Sequence, residues 1–431
     1  MEIPAEYLKE LEQFRGVVPA QIASRIETLL RTYEKLDKES LNICAAKRVV
    51  SPAVNRLIPS RSLEGLISRP THRSHGGLRY FHVMSLVAKQ LAEKLFNARF
   101  AECRLPSGCG AISVALYSLT NLRANVMALP REYTTHSAHP SLREQGYGGF
   151  RGLQITDIPL TEDRLNVDVD AMAEVAKKVK PSLIITGSHV MLFPEPIAEI
   201  RKIADDIGAK MMYDGAHVLG LIAGRKFQDP LKDGVDLLVG STHKTLSGPQ
   251  GGIILTNKDE MIERLEPKMT GSRMHSVVSA GYVAGLAVTL AEWLEFGEEF
   301  ADQVVRNAKA LGKAMDKEGF HLFGKDKGYT ESHTVVAEIS TLVKGDEGLT
   351  LLEGAGIMAA TYNLWWEPAS KRGCLRMGTT IPTRYGMKES EMKEIARFLR
   401  RTLIDREAPE NVRRDVLDFK SRFTEIEYCF K

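Results

Sequence analysis

The chain has 431 residues and carries 58 lysines and arginines against 55 aspartates and glutamates, a formal net charge of +3. This near balance gives no basic footprint for nucleic acid or for an anionic membrane surface, and no apolar run is long enough to span a bilayer. The hydrophobic fraction of 43% and the charged fraction of 26% are typical of a globular protein. A chain of this length favours a large domain with a smaller companion.

The five cysteines are scattered without the spacing of a metal site. They predict reduced thiols, no bound metal and a cytoplasmic protein. The N-terminal segment is acidic and amphipathic, unlike a signal peptide. Apolar residues at helical spacing predict two helices between residues 4 and 36.

Strand and helix patterns alternate from about residue 76 to residue 290. Helical spacing marks 81–100 and 195–207. Short apolar strands are predicted at 126–129, 183–186, 211–213, 236–239 and 253–256. This alternation predicts an α/β fold with a mostly parallel, doubly wound sheet and a site at the carboxyl ends of its strands.

A long helix, in two parts over 286–296 and 298–316, leads to a smaller α/β region with a strand at 334–339. An amphipathic helix over 412–430 ends the chain. The predicted domains are an N-terminal helical arm with a segment of the site (1–75), a large domain that carries the predicted sheet and its site (76–290) and a C-terminal small domain (291–431).

Two polar residues stand at the ends of buried strands in the large domain. Asp214 follows the strand at 211–213, and a carboxylate there is costly unless a cation meets it. Lys244 follows the strand at 236–239, beside hydroxyl groups and a histidine. A lysine in this position can form a Schiff base with an aldehyde cofactor, and a protonated pyridine nitrogen would satisfy Asp214.

The segments DGAHVLGL at 214–221 and THKTLSGPQGG at 242–252 resemble the pyridoxal phosphate core of the serine hydroxymethyltransferase family, which has the fold-type I architecture. The resemblance covers nearly the whole chain. It implies that Lys244 forms the Schiff base, that Asp214 pairs with the pyridine nitrogen and that His217 lies close to the ring. Ser241 and His243, beside the lysine, join the predicted cofactor-binding residues. Taken singly, a surface lysine and an N-cap aspartate remain alternatives.

The turn PSGCGA at 106–111 lies between a strand and a helix N-terminus, where backbone N–H groups and the helix dipole favour a phosphate. The family segment that it resembles holds the cofactor phosphate. Ser107 and Gly108 match that segment, and Cys109 stands in place of its second serine. A small-residue loop is also common without a ligand.

Histidines follow two of the predicted strands. His136 occupies the place of the family histidine that stacks on the cofactor ring, although a histidine that caps a loop is the alternative. After the strand at 183–186, the resemblance implies a residue near the ring oxygen. Ser188 or His189 can serve, and we include His189 among the cofactor-binding residues.

Three segments depart from the family pattern. In CAAKRVVSP at 44–52, Ala46 replaces the serine that helps to hold the substrate carboxylate. Lys47 and Arg48 replace an acidic-amide pair and are either solvated charges or bind an acidic group. Glu64 keeps the place of the glutamate that handles the proton of the substrate hydroxyl, but both neighbouring site tyrosines are missing. A glycine-rich turn that reaches the partner subunit's phosphate site is replaced by 270–276, which includes an arginine and a histidine.

GCLRMGT at 373–379 resembles the family motif Gly-x-Arg-x-Gly-Thr. The resemblance implies that Arg376 holds the amino-acid carboxylate through two parallel hydrogen bonds, with a surface ion pair as the alternative. Trp365 and Trp366 replace a polar segment on the folate side of the family site, and they either form a wall of the pocket or are one core and one surface residue.

We therefore expect a pyridoxal phosphate enzyme that makes or breaks the Cα–Cβ bond of a β-hydroxy amino acid, with glycine and an aldehyde as the other reactants. A small amino acid is the expected substrate, and a homodimer or homotetramer is the expected assembly. The alternatives are a folate-independent threonine-type aldolase or transaldolase, another amino-acid transferase, and a non-enzymatic binding protein. Lys244, Asp214 and Arg376 argue against the last, and the substitutions predict weak or absent dependence on tetrahydrofolate.

Overall fold

The computed structural model describes residues 8, 11–12, 14–15, 17–59, 64–66, 78–130, 147–269, 277–363 and 373–431. The strands in these ranges are β1 (Leu41–Asn42), β2 (Glu64–Leu66), β3 (Phe100–Leu105), β4 (Asn125–Ala128), β5 (Gln154–Asp157), β6 (Leu183–Thr186), β7 (Lys210–Asp214), β8 (Leu237–Ser241), β9 (Gly252–Thr256), β10 (Val277–Ser279), β11 (His321–Leu322), β12 (Thr334–Glu338), β13 (Ile357–Met358), β14 (Ala360–Tyr362) and β15 (Cys374–Gly378). The helices are α1 (Pro19–Glu39), α2 (Pro52–Leu57), α3 (Arg79–Leu95), α4 (Gly108–Leu119), α5 (Tyr147–Phe150), α6 (Val169–Val179), α7 (Ile197–Ile207), α8 (Leu219–Ala223), α9 (Asp259–Met269), α10 (Ala280–Lys317), α11 (Gly345–Gly354), α12 (Thr380–Arg384), α13 (Glu389–Leu403) and α14 (Pro409–Ser421).

The large domain is built on a seven-stranded sheet within the described ranges, in the order β3-β9-β8-β7-β6-β4-β5. The strands from β5 to β8 pair in parallel, and β9 runs antiparallel to both β8 and β3. The predicted mostly parallel sheet is confirmed, and the strand expected at 253–256 is its antiparallel member β9. Since β6, β7 and β8 are buried neighbours, their carboxyl ends bring Thr186, Asp214 and Ser241 to one edge of the sheet.

The small domain contains a four-stranded antiparallel sheet in the order β11-β12-β15-β14. The central strands β12 and β15 are almost fully buried. A segment from the N-terminal region joins this domain, since β1 pairs in parallel with β13. Cys44 then forms an isolated bridge with Met377 of β15. The predicted arm therefore reaches the strand that carries Arg376.

The predicted long helix is present as α10, which runs without interruption through Gly297, the residue between its two predicted parts. Ser279 caps its start, and its hydroxyl accepts the Tyr282 N–H at 3.4 Å. A Cβ on Gly224 would lie 2.5 Å from the Gly297 carbonyl oxygen, and a Cβ on Gly297 itself would lie 2.5 Å from Cε3 of Trp293, so close packing also requires a glycine at Gly297. The glycine marks a contact between α10 and the end of α8, and the helix continues through it.

Two other helix predictions ran too far. The helix expected over 81–100 ends with α3 at Leu95, because Asn97 has a left-handed φ of 49° and Phe100 begins β3. The helix expected to the end of the chain stops with α14 at Ser421. The residues after it fold back, and the Phe430 N–H donates to Oε1 of Glu292 in α10 at 3.3 Å.

The helix α1 leaves apolar side chains exposed, among them Ile26, Leu30 and Tyr33, which are more than half exposed. It corresponds to the second of the two helices predicted from the sequence, and most of the first lies outside the described residues. Among the described helices, none combines the length and the apolar character that a membrane span requires.

Candidate active site

Lys244 lies in the turn after β8 and is only 3% exposed. Its Nζ lies 2.9 Å from Nε2 of His217. Burial lowers the pKa of Lys244 to about 7; the negative charge of Asp214 opposes this shift, and the positive charge of Arg376 adds to it. An amine with this pKa is substantially neutral near pH 7, which is the form that attacks an aldehyde.

Asp214 ends β7 and is also buried. Its Oδ1 accepts the Ala216 N–H at 3.0 Å. Burial raises the pKa of Asp214, while the positive charge of Lys244 opposes the shift. A Cβ on Gly187, which follows β6, would lie 2.2 Å from the Asp214 carbonyl oxygen, and Gly187 has a φ of +93°. Glycine is therefore required where the turn after β6 packs against Asp214.

The N-terminus of α4 forms a cradle for an anion. The Ser107 hydroxyl accepts the Gly110 N–H at 3.0 Å and caps the helix. A Cβ on Gly108 would lie 2.1 Å from Oγ of Ser241, so glycine allows β8 and α4 to meet. That hydroxyl oxygen is buried and has no hydrogen-bond partner in the described ranges. With Cys109 in the same first turn, these groups fit the phosphate of a cofactor.

His217, the ring that contacts the lysine, is itself in contact with two further histidine rings. The ring of His217 stacks on His333 at a centroid distance of 6.2 Å and meets His189 edge-on at 6.1 Å. Burial lowers the pKa of His333 to about 3, so this imidazole is neutral near pH 7. The structure brings the predicted His217 and His189 together beside Lys244. His333, one residue before β12, was not among the predicted site residues.

The other predicted histidine next to the lysine is His243. Burial lowers its pKa to about 4, and the positive charges of Lys244 and Arg48 add to the shift. Its Nδ1 is buried without a hydrogen-bond partner in the described part of the chain. This neutral ring therefore lies among cations and adds no charge to the site.

Arg376 lies on β15 and is 1% exposed. Its Nη1 donates to the His189 carbonyl oxygen and its Nη2 to the Tyr362 hydroxyl, both at 2.8 Å. The guanidinium carbon lies 4.2 Å from the centre of the Tyr362 ring. Nε is buried and has no partner in the described ranges. The guanidinium is held in place and keeps a donor for a carboxylate, so the surface ion pair considered from the sequence does not apply to it.

The chain matches the serine hydroxymethyltransferase family over residues 20–399. A serine hydroxymethyltransferase from Thermococcus kodakarensis is 40% identical over 93% of this chain and 94% of its own length. Another from Korarchaeum cryptofilum is 36% identical over 96% of this chain and 98% of its own. The chain belongs to the serine hydroxymethyltransferase family. An L-threonine transaldolase structure from Pseudomonas fluorescens, 23% identical, superposes with a TM-score of 0.84 over 98% of this chain and 96% of that one, and shares the fold.

Membership of the serine hydroxymethyltransferase family confirms the predicted fold-type I enzyme and its cofactor, pyridoxal phosphate. The residues present fit that cofactor. The buried carboxyl of Asp214 suits a protonated pyridine nitrogen, and the orphaned Ser241 hydroxyl at the N-terminus of α4 suits the phosphate. The activity class follows from the family as well: making or breaking the Cα–Cβ bond of β-hydroxy amino acids in a pyridoxal phosphate-dependent manner.

Several predicted residues cannot be placed in this site. His136, Trp365 and Trp366 lie outside the described residues, as do the arginine and histidine of 270–276. Glu64 lies in β2, which pairs with β10, but its side chain is outside the described part of the chain. Their roles stay predictions. In the described ranges, no group of three or more His, Cys, Asp or Glu side chains is arranged to hold a metal ion.

A buried carboxyl that the sequence did not single out supports the Asp214 turn. Both oxygens of Glu195 accept the Gly187 N–H, at 3.0 and 3.2 Å. Burial raises the pKa of Glu195 to about 7, the Gly187 hydrogen bond opposes this shift, and Asp214 adds to it. The predicted helix at 195–207 therefore begins later, at Ile197, because Glu195 fixes the turn after β6.

Proposed function

We propose that this chain binds a β-hydroxy amino acid through Arg376 and makes or breaks its Cα–Cβ bond with Lys244 and Asp214 as the principal catalytic groups. Bound pyridoxal phosphate supplies an electron sink for negative charge at Cα. The supporting observation is the cluster itself. A lysine with a pKa of about 7 and a buried carboxyl lie at the carboxyl ends of β8 and β7. A partly satisfied arginine donates to the His189 carbonyl oxygen, and the His189 ring contacts His217 beside the lysine.

Each residue has a distinct proposed task. Asp214 keeps the cofactor's ring nitrogen protonated, because a buried carboxylate favours a cation beside it. Arg376 would fix the substrate carboxylate and thereby orient the bonds of Cα. The 2.9 Å contact between Lys244 Nζ and His217 Nε2 gives a proton on the amine a direct acceptor. The stacked His333 holds that acceptor ring in place.

We propose further that the reaction proceeds without folate. The supporting observations are in the sequence: both family tyrosines near Glu64 are missing, and Trp365 and Trp366 replace a polar segment on the folate side. The test measures aldehyde release from L-serine and from L-threonine, with and without tetrahydrofolate. We expect threonine cleavage that folate leaves unchanged. Fast serine turnover that needs folate would overturn this proposal and leave the proposed bond cleavage intact.

The expected assembly is a homodimer or a homotetramer. It is supported by the apolar side chains that α1 exposes, since contiguous apolar surface of this kind marks protein contacts. The site residues described above all come from one chain. A cytoplasmic location also stays a proposal; it is supported by the five cysteines, all within the described ranges and none in a disulfide.

Replacing Arg376 by lysine should weaken amino-acid binding by about 1–3 kcal/mol, because lysine keeps the charge but loses the planar pair of donors. Binding of pyridoxal phosphate should change little. Both constants can be measured by titrating the cofactor absorbance. The matched control is Arg384→Lys, which changes an arginine equally buried but bonded to the Tyr428 carbonyl oxygen and to Glu292. Loss of cofactor from the Arg376 variant would show that Arg376 is structural.

A further inference from the structure

The segment from Ala45 to Ser51 lies against the active site and is fixed at both ends. The Ala45 carbonyl oxygen lies 3.2 Å from Nε2 of His333, whose ring stacks on His217. A Cβ on Gly378 would lie 2.5 Å from the Cα of Ala45, so this segment packs directly on the strand that carries Arg376. At the other end, the buried hydroxyl of Ser51 accepts the Val54 N–H at 3.1 Å and caps α2.

Lys47 and Arg48, the two basic residues of this segment, differ in their exposure to solvent. Lys47 is exposed, and its Nζ lies 4.0 Å from Oδ1 of Asp37 in a solvated pair. Arg48 is partly buried, and its Nε is buried without a hydrogen-bond partner in the described ranges. The sequence left open whether these charges were solvated or functional. In the structure, only Lys47 of the two is a solvent-exposed charge.

The positive charge of Arg48 affects the pKa of His243, the residue that precedes Lys244. Burial lowers the pKa of Arg48, and no carboxylate of the described chain offsets the shift. Its positive charge also lowers the pKa of His243, the residue beside Lys244. A partly desolvated guanidinium without an anion in the described ranges is costly, and a bound anion would offset that cost.

We propose that Arg48 binds a second acidic group of the substrate, a carboxylate or a phosphate, and so selects β-hydroxy amino acids with an anionic side chain. This rests on the proposed function, in which Arg376 takes the α-carboxylate. The phosphate of the cofactor is a second anionic group of the kind that Arg48 would bind. The cradle at Ser107, Gly108 and Ser241 already serves that group, which favours the substrate as the source.

The test compares pairs of amino acids that differ by one carboxylate. Alanine and aspartate have no Cβ hydroxyl group, so their dissociation constants can be compared at equilibrium without bond cleavage. These constants are measured on the holoenzyme from the change in cofactor absorbance. The rates of aldehyde release from L-threonine and from 3-hydroxyaspartate are compared in the same way. The wild-type protein should prefer the acidic member of each pair. Arg48→Met should lower that preference by about tenfold to a hundredfold, the worth of a charge-assisted hydrogen bond, and leave alanine and threonine unchanged.

Two further variants keep the test decisive. Arg48→Lys, which retains the charge, should retain most of the preference, and Lys47→Met should retain all of it. Equal losses for acidic and neutral ligands would overturn the proposal. So would weaker binding of pyridoxal phosphate to the Arg48→Met apoprotein with the preference intact, which would assign Arg48 to the cofactor phosphate. If the wild type binds aspartate over alanine but cleaves neither hydroxy amino acid, the proposed reaction fails and the anion site stands.

Discussion

Lys244→Ala should abolish covalent capture of pyridoxal phosphate and lower turnover by at least about a hundredfold, the usual loss when a group that transfers protons is removed. Borohydride treatment of the wild-type holoenzyme should fix the cofactor to the peptide that contains Lys244, and the variant should take no label. Because burial lowers the pKa of this amine to about 7, capture by the apoprotein should be slow at pH 6, rise with pH through 7 and then level off.

The control for this experiment is Lys226→Ala. The Nζ of Lys226 lies 3.4 Å from a carboxylate oxygen of Glu298 and 3.6 Å from one of Asp302. Both acidic residues lie on α10, and the ion pairs are partly exposed. This variant should keep the label, the turnover and the pH dependence of the wild type. Label on any lysine other than Lys244 would contradict the assignment.

The sequence contained enough to predict the centre of the site. Asp214 and Lys244 follow the two parallel strands β7 and β8, and adjacent parallel strands bring such residues to one edge. Ser107 and Gly108 were predictable for a similar reason, because a strand, a small-residue turn and a helix start define an anion cradle locally. In each case a short segment fixes the geometry.

The surroundings of Arg376 could not be predicted in this way. Tyr362 reaches it from the neighbouring strand β14, whose register pairs Ala360 with Arg376. The His189 carbonyl oxygen comes from the other domain. Antiparallel register and contacts between domains are set by packing over the whole chain, and no local spacing in the sequence encodes them.

The same reason explains Glu195 and Gly297. A glutamate before a proline is typical of a helix start, and only the packing of β6 on β7 places its carboxyl under the Gly187 N–H. A glycine within a helical pattern is a common break, and only the packed structure shows that a Cβ on Gly297 would lie 2.5 Å from Cε3 of Trp293.

Asp214→Asn should leave the fold and cofactor binding largely intact but lower turnover by about a hundredfold or more, the loss expected for one preorganised electrostatic group. Asparagine keeps the oxygen that accepts the Ala216 N–H at 3.0 Å. It removes the negative charge that keeps the cofactor's ring nitrogen protonated. The absorbance of the bound cofactor should therefore change with pH in the neutral range in the variant and stay constant there in the wild type.

The matched control is Asp229→Asn, which removes a carboxylate from an exposed loop residue that accepts the Lys232 N–H at 3.2 Å. Its turnover and its spectrum should equal those of the wild type. The two readouts separate catalysis from folding: a misfolded Asp214 variant loses cofactor, whereas the proposed role predicts bound cofactor with an altered pH titration. Wild-type turnover and a pH-independent spectrum in Asp214→Asn would show that another group of the chain holds the ring nitrogen.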